Sequence, residues 1–338
     1  MNLQEKKYNQ FALVREMMET VDIVKKFDPS VADRFVPATA KAQGVFLTGE
    51  GSSRLFPAKR AIYSSLKKGY GLKINTDAAT QSIEYNLNDY AVFAASNSGQ
   101  TKEVIRFANA MREAKNNTFF GLTANLNTKL ESLAVATHVL SCGKEDAVAA
   151  TKSVVEQGLF YDALLRKVKK EQISNLDGLA NAIEKALTAP IEKSIIDKIK
   201  EADMIYFAGR NNGVAEELAL KTNEITRKKS AYLEGTFALH GIEEVMNPNE
   251  VLIWVDPYES EEEEFNKRLV KGVGIGLVAI SSKSTIFPTV SIPSCDEYDE
   301  YVQLAAGWNI LVEVGVGLGI NLDKPQRARK IGNEYIGG

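Results

Sequence analysis

Between Tyr90 and Met111 the chain runs through a buried strand, a hydroxyl-rich turn and an amphipathic helix in immediate succession. Tyr90-Ala91-Val92-Phe93-Ala94-Ala95 is an apolar run of strand length, and Val104, Ile105, Ala108 and Met111 fall at helical spacing. The turn between them, Ser96-Asn97-Ser98-Gly99-Gln100-Thr101, carries three hydroxyls and one glycine. A helix that opens at such a turn points unpaired backbone N–H groups and the positive end of its dipole at whatever lies above the loop. Gly99 would let the backbone approach an anion closely. A single Ser or Thr would satisfy the local need for a helix cap, whereas three hydroxyls and a glycine within six positions predict a phosphate cradle. The Gly-Lys-Ser/Thr ending of a nucleotide-binding P-loop is absent, so no nucleoside triphosphate is implied.

The same strand-turn-helix pattern recurs along the chain. Gly44-Val45-Phe46-Leu47-Thr48-Gly49 runs into Glu50-Gly51-Ser52-Ser53 and a helical stretch through Ala61 and Leu66; Thr118 to Thr123 is a further strand before a helical pattern through Leu130 and Leu133. Strands separated by helices of this length pair in parallel and lie between helix layers. Their loops gather at the carboxyl edge of the sheet, where such folds bind ligands. After a lysine-rich stretch from about Leu164 to Ala202, punctuated by Gly178 and Pro190, the pattern repeats at Met204 to Gly213, Val251 to Asp256 and Ile275 to Ser281. The expected organisation is an amino-terminal helical segment over 1–40, a first lobe over 41–165, connecting helices over 166–202, and a second lobe with its tail over 203–338. The first segment should be helical to about Asp33, with Phe11, Val14, Met18, Val21 and Val24 on one stripe and the acids and lysines between them solvated.

The repeat is informative where it fails. Opposite Ser96 to Thr101 the second lobe reads Asp256-Pro257-Tyr258-Glu259-Ser260 and then Glu261 to Glu264, and carboxylates there would repel a phosphate. Only the first lobe is expected to bind one, which leaves the chemistry to the second. The glutamate run reads as a solvated first helical turn. Gly272, Gly274 and Gly276, and Gly315, Gly317 and Gly319, match no dinucleotide fingerprint and read as close packing.

Charge is nearly balanced, 41 basic against 44 acidic residues, which argues against a nucleic-acid partner. The opening residues lack a signal-peptide core and no apolar run is long enough to span a bilayer, so a cytoplasmic protein is expected. Cys142 and Cys295 should be reduced, and with only His138 and His240 beside them no metal site is expected.

Among candidates for chemistry, His240 stands beside Gly241 at an element boundary, where its ring would be accessible and able to move protons near neutral pH. His138 alternates with apolar residues and reads as structural. Glu217, Lys221 and Glu224 share a helical face, which by itself suggests a surface ion pair. Lys330 by itself reads as part of a basic tail.

Gly51-Ser52-Ser53, the hydroxyl loop, Val148-Ala149-Ala150-Thr151-Lys152, Lys221 to Glu224 and His240-Gly241 occur in an order that resembles the sugar isomerase (SIS) family, most closely the isomerase half of glucosamine-6-phosphate synthase. The resemblance covers nearly the whole chain beyond the first forty or so residues. It implies an α/β fold of two tandem SIS lobes, each a five-stranded parallel sheet between helices, and a homodimer. It further implies that Ser52, Ser53, Ser96, Asn97, Ser98 and Thr101 hold a sugar phosphate and that Gly51, Val148, Ala149 and Ala150 contact the sugar. Glu224 would shuttle a proton between C1 and C2, with Lys221 beside it; His240 would open the sugar ring from across the dimer interface; Lys330 would engage the open-chain carbonyl. No cofactor is implied. Ile242 stands where the family has proline, Ala150 where it often has serine, and the terminal match carries extra basic residues. Asn2 follows Met1, with no cysteine nucleophile for glutamine hydrolysis, so a glutamine-independent enzyme is expected. The readings that follow are an amino-sugar phosphate deaminase or aldose-ketose isomerase, a fructosamine-6-phosphate deglycase, and a non-catalytic sugar-phosphate sensor.

Overall fold

The computed structural model describes residues 1–324, 326, 327 and 335. Two five-stranded parallel sheets dominate it. The first comprises β1 (Gly44–Gly49), β2 (Ile74–Ala78), β3 (Tyr90–Ala95), β4 (Phe119–Thr123) and β5 (Ala136–Val139) in the order β2-β1-β3-β4-β5. The second comprises β6 (Met204–Gly209), β7 (Lys229–Glu234), β8 (Val251–Val255), β9 (Gly276–Ser281) and β10 (Thr289–Ser291) in the order β7-β6-β8-β9-β10. Numbered within each sheet the two orders are identical, so the internal repeat read from sequence extends to topology.

The chain divides into two compact units. One holds Ile23–Glu145 and Ala150–Leu176 with the first sheet; the other holds Met1–Asp22, Asp146–Ala149 and the chain from Asp177 on through the second sheet. The principal helices are α1 (Ala12–Lys26), α2 (Leu55–Lys67), α3 (Lys102–Glu113), α4 (Lys152–Val168), α5 (Val214–Thr226) and α6 (Asp299–Gly317).

In the first sheet, alternation of side chains across the pleat builds two cores. Val92 and Ala94 of β3 turn to a cluster with Phe46, Val104, Ile105, Phe107 and Phe119. Phe93 turns the other way, 5.8 Å from Phe35 and 5.1 Å from Phe120, with Phe160 of α4 at 6.0 Å. Both faces are dry, which is why β1, β3 and β4 read as unbroken apolar runs. Arg60 of α2 and Asp162 of α4 form a fully buried ion pair. In the second sheet Trp254 stacks on Phe265 with ring centroids 3.7 Å apart, inside a cluster with Tyr206, Leu252, Leu277 and Phe287.

Several expectations change. The strands at three of the four sheet edges, β2, β7 and β10, carry no apolar run to announce them: Ile74-Asn75-Thr76-Asp77-Ala78, Lys229 to Glu234 and Thr289-Val290-Ser291 are largely exposed or half-buried. The buried stripe of α1 is Leu13, Val14, Met17, Thr20 and Val24, whereas Met18 and Val21 are only half-buried. Glu16 is no solvated acid, since it is buried and accepts from the N–H groups of Asp146 and Ala147. The glutamate run is likewise only partly solvated: Glu262 is buried and accepts from the Ile286 N–H at 3.0 Å. Cys142 and Cys295 are both free thiols. No helix among the described residues is long and apolar enough to cross a membrane.

Candidate active-site elements

In a sheet ordered 2-1-3-4-5 the connections leaving strands 1 and 3 depart in opposite directions and open a crevice outside their carboxyl ends. β1 and β3 pair in register from Gly44 opposite Tyr90 to Gly49 opposite Ala95. A Cβ on Gly49 would come within 2.8 Å of the Ala95 carbonyl oxygen, so only glycine permits the two strand ends to approach this closely. The crevice receives Gly51-Ser52-Ser53 from one side and Ser96 to Thr101 from the other.

The hydroxyl loop is held by its own side chains. Ser96 Oγ and Thr101 Oγ1 are 2.8 Å apart, and Ser98 Oγ accepts the Gln100 N–H at 3.1 Å. Thr101 is the N-cap of α3, yet its side chain makes no capping hydrogen bond. The Thr101 hydroxyl is therefore not accounted for as a cap, while Ser96 Oγ and Ser98 Oγ accept the Thr101 and Gln100 N–H groups of the turn itself, and the positive end of α3 faces the loop. Gly99 has φ +63°, and a Cβ there would meet the Thr128 side chain at 2.4 Å. Its glycine is required by that turn and by Thr128, reasons the sequence did not suggest. Ser52 is buried and Ser53 half-buried in a short 3₁₀ turn. The Asn97 side chain is turned into the protein, donating to Glu145 at 2.6 Å and Ser153 at 2.8 Å.

Two acids of this unit escape the motif reading. Glu50 directly follows β1; burial, with the Glu103 carboxylate nearby, holds its carboxyl above the ordinary glutamate range despite the Thr80 N–H. Glu145 is fully buried beneath the loop. The available signal was position, each lying within three residues of a quoted motif.

In the other unit, α5 carries Glu217, Lys221 and Glu224. The expected surface pair is in fact interior. The Lys221 side chain is 1% exposed, with its ammonium 2.6 Å from Glu224 Oε2 and 3.4 Å from Glu217 Oε1, and Glu217 is wholly buried. Only Glu224 reaches solvent, at 24%. A buried ammonium held between two carboxylates fixes the outer one in place. His240 is exposed and lines an open hollow of about 530 Å³ with Tyr232, Glu234, Thr236 and Phe237. Gly241, with φ +103°, turns the chain away after it. Val148 is half-buried and Ala149 buried; the Val148 N–H reaches the Asp323 carbonyl at 3.4 Å, while the Asp323 carboxylate accepts from the N–H groups of Ala12 and Leu13 at the start of α1. Ala150 is half-buried. Lys330 lies outside the described residues.

The crevice of the second sheet is chemically different. Arg210, following β6, is paired with Asp256, following β8, at 2.6 Å, donates to the Asp256 carbonyl, and lies over the Tyr258 ring at 4.3 Å.

No family model and no curated protein matches the sequence. Solved structures do match. The tagatose-6-phosphate ketose/aldose isomerase of Escherichia coli superposes with a TM-score of 0.79 at 14% identity, over 96% of this chain and 99% of that one. The C-terminal domain of glucosamine-fructose-6-phosphate aminotransferase from Francisella tularensis gives 0.77 at 16%, over 95% and 100%. Glucosamine-6-phosphate deaminase from Thermotoga maritima gives 0.73 at 18%, over 94% and 98%. At these identities the likeness is one of fold.

Proposed function

We propose, taking the fold shared with these phosphosugar enzymes as the premise, that the chain is a phosphosugar aldose-ketose isomerase or amino-sugar 6-phosphate deaminase. The observation that carries this reading is the hydroxyl loop at the β1/β3 crevice, which gathers three hydroxyls at the amino end of α3 while its N-cap Thr101 makes no side-chain capping bond. A phosphate there would gain charge-assisted hydrogen bonds from hydroxyls and backbone N–H groups and favourable interaction with the helix dipole. Ser52, Ser53, Ser96, Ser98 and Thr101 would supply the grip.

The chemistry falls to Glu224. As a carboxylate it takes the proton from one of C1 or C2 of the open-chain sugar and the electron pair moves into a C1–C2 double bond; the same proton then returns to the other carbon. Over the two steps the carbonyl oxygen gains a proton and the hydroxyl or amino group on the neighbouring carbon gives one up, and where that group is an amine, water adds to the resulting imine and ammonia leaves. Lys221, clamped between Glu217 and Glu224, holds that carboxylate in orientation. His240 would open the ring, and the exposure of Phe237 (51%), which lines the same hollow, supports delivery across a homodimer interface. A pure sensor would have no use for a buried lysine between two glutamates.

The test is a panel of hexose, hexosamine and fructosamine 6-phosphates with ammonia and ketose release followed. Glu224→Gln should lower turnover about a thousandfold while leaving sugar-phosphate affinity within about threefold; undiminished turnover would remove Glu224 from the base role. Release of an amino acid from a fructosamine phosphate would make the enzyme a deglycase. Mixing inactive Glu224→Gln and His240→Ala subunits should restore activity if each site draws on both chains, and no restoration would place His240 in its own subunit's site.

A further inference from the structure

Glu145 belongs to no motif, yet more hydrogen bonds converge on its carboxylate than on any hydroxyl of the loop. Oε1 accepts the Thr151 N–H at 2.7 Å and, at 3.4 Å each, the Thr151 hydroxyl and the Ser153 N–H. Oε2 accepts the Ser153 hydroxyl at 2.7 Å and the Asn97 amide at 2.6 Å. Thr151 and Ser153 lie at the amino end of α4, where unpaired N–H groups and the dipole would otherwise attract an anion. A side chain of the protein already occupies that end. The Asn97 side-chain amide donates into the same place, while the Asn97 backbone carbonyl accepts the Ala124 N–H at 3.0 Å and the Asn125 side-chain amide at 2.8 Å. Asn97 is thus clamped from both sides, and Ser96 and Ser98 flank it.

We infer that Glu145 is a positioning residue for the phosphate site: through Asn97 it sets the shape of the hydroxyl loop, and by filling the amino end of α4 it leaves the end of α3 as the place for the ligand's anion. This rests on the phosphate reading of the hydroxyl loop proposed above. A buried carboxylate with this many donors cannot be removed without leaving N–H groups behind, so its loss should be felt at the loop it braces.

The experiment measures binding of inorganic phosphate and of a hexose 6-phosphate by calorimetry to the full chain and to Glu145→Gln, Asn97→Ala, the double variant and Ser153→Ala. Glu145→Gln should weaken both ligands about tenfold, and Asn97→Ala by a similar factor. The double variant should be no weaker than the poorer single one, because the two residues act through one contact. With an active substrate from the panel, KM should rise while kcat stays within about threefold. Unchanged affinity in Glu145→Gln, or losses that multiply in the double variant, would overturn the inference and leave the phosphate reading standing. A wild-type chain that binds neither ligand would instead overturn the phosphate reading itself. If Glu145→Gln does not fold, Ser153→Ala decides the matter: about threefold weaker binding supports the brace, and unchanged binding refutes it.

Discussion

The two crevices of this molecule stand on the same scaffold and differ in what fills them. Gly49 and Gly209 end the first strand of each sheet, and an added Cβ would approach the backbone oxygen of Ala95 in one case and Val255 in the other. The next residue on the third strand's side donates its N–H to the neighbouring strand in both: Ser96 to Leu122 at 2.9 Å, Asp256 to Ile280 at 2.8 Å. From there the chemistry reverses. In the first unit an acid, Glu50, follows the first strand and a hydroxyl follows the third; in the second unit these places hold Arg210 and Asp256, which neutralise each other. The repeated strand order thus supplies two equivalent crevices, and on the function proposed above, side chains at two positions decide which can take an external anion. In the second crevice the anion is already part of the chain.

The largest effect should come from exporting that carboxylate. Ser96→Asp is expected to weaken inorganic phosphate and sugar phosphates by about a hundredfold or more in a calorimetric titration, through repulsion at short range, and to lower thermal stability because Ser96 is buried. Retained binding would break the comparison, since the two crevices would then not differ for the reason given.

Acid should separate the units next. His138 in β5 stacks on Phe160 at 5.0 Å, and burial, against the Glu156 charge, lowers its pKa from 6.5 to about 4. The unfolded chain therefore takes up this proton first. The associated stability is complete above pH 6.5 and is lost as the pH falls toward 4, amounting to about 3 kcal/mol at about 1.4 kcal/mol per unit. Both tryptophans, Trp254 and Trp308, lie in the other unit. Far-UV dichroism should fall before tryptophan fluorescence changes on acidification, and His138→Asn should narrow the gap; coincident transitions in the wild type would show that the units do not unfold separately.

Ser98→Ala should weaken phosphorylated ligands about fivefold, leaving an unphosphorylated sugar unaffected. An equal loss for both would move Ser98 from the phosphate to the sugar. The smallest effect belongs to Asp256→Ser, the reciprocal exchange. Its ion pair is partly exposed, 22% and 32%, so stability should drop by less than about 1 kcal/mol. Phosphate stoichiometry should not rise, because Glu259 to Glu264 remain nearby. A second bound phosphate would show that the carboxylate alone, and not the missing hydroxyl loop, closes that crevice.

How far sequence reaches is visible in the same pair of regions. β1, β3 and β4 and their counterparts β6, β8 and β9 are buried on both faces, and continuous apolar runs reveal them; the turns that follow are likewise legible as a hydroxyl turn and its acidic counterpart. β2, β7 and β10 lie at sheet edges, where half-exposure permits residues such as Asn75, Asp77, Lys229 and Thr289 and erases the pattern. The stripe on α1 slipped by one residue because Glu16 and Thr20 are buried polar groups, and helical periodicity counts only apolar ones.

What sequence by itself determined is the repeated strand-turn-helix order, the parallel sheets it demands, and the asymmetry between a hydroxyl turn and an acidic one. These follow from local period and residue type, which a linear chain carries openly. Only the tertiary structure decided that Lys221 is interior, that Arg210 closes on Asp256 and that Glu145 braces Asn97. Each depends on contacts between segments distant in the chain or on burial conferred by neighbouring elements, and the meaning of a charge changes once water is excluded around it.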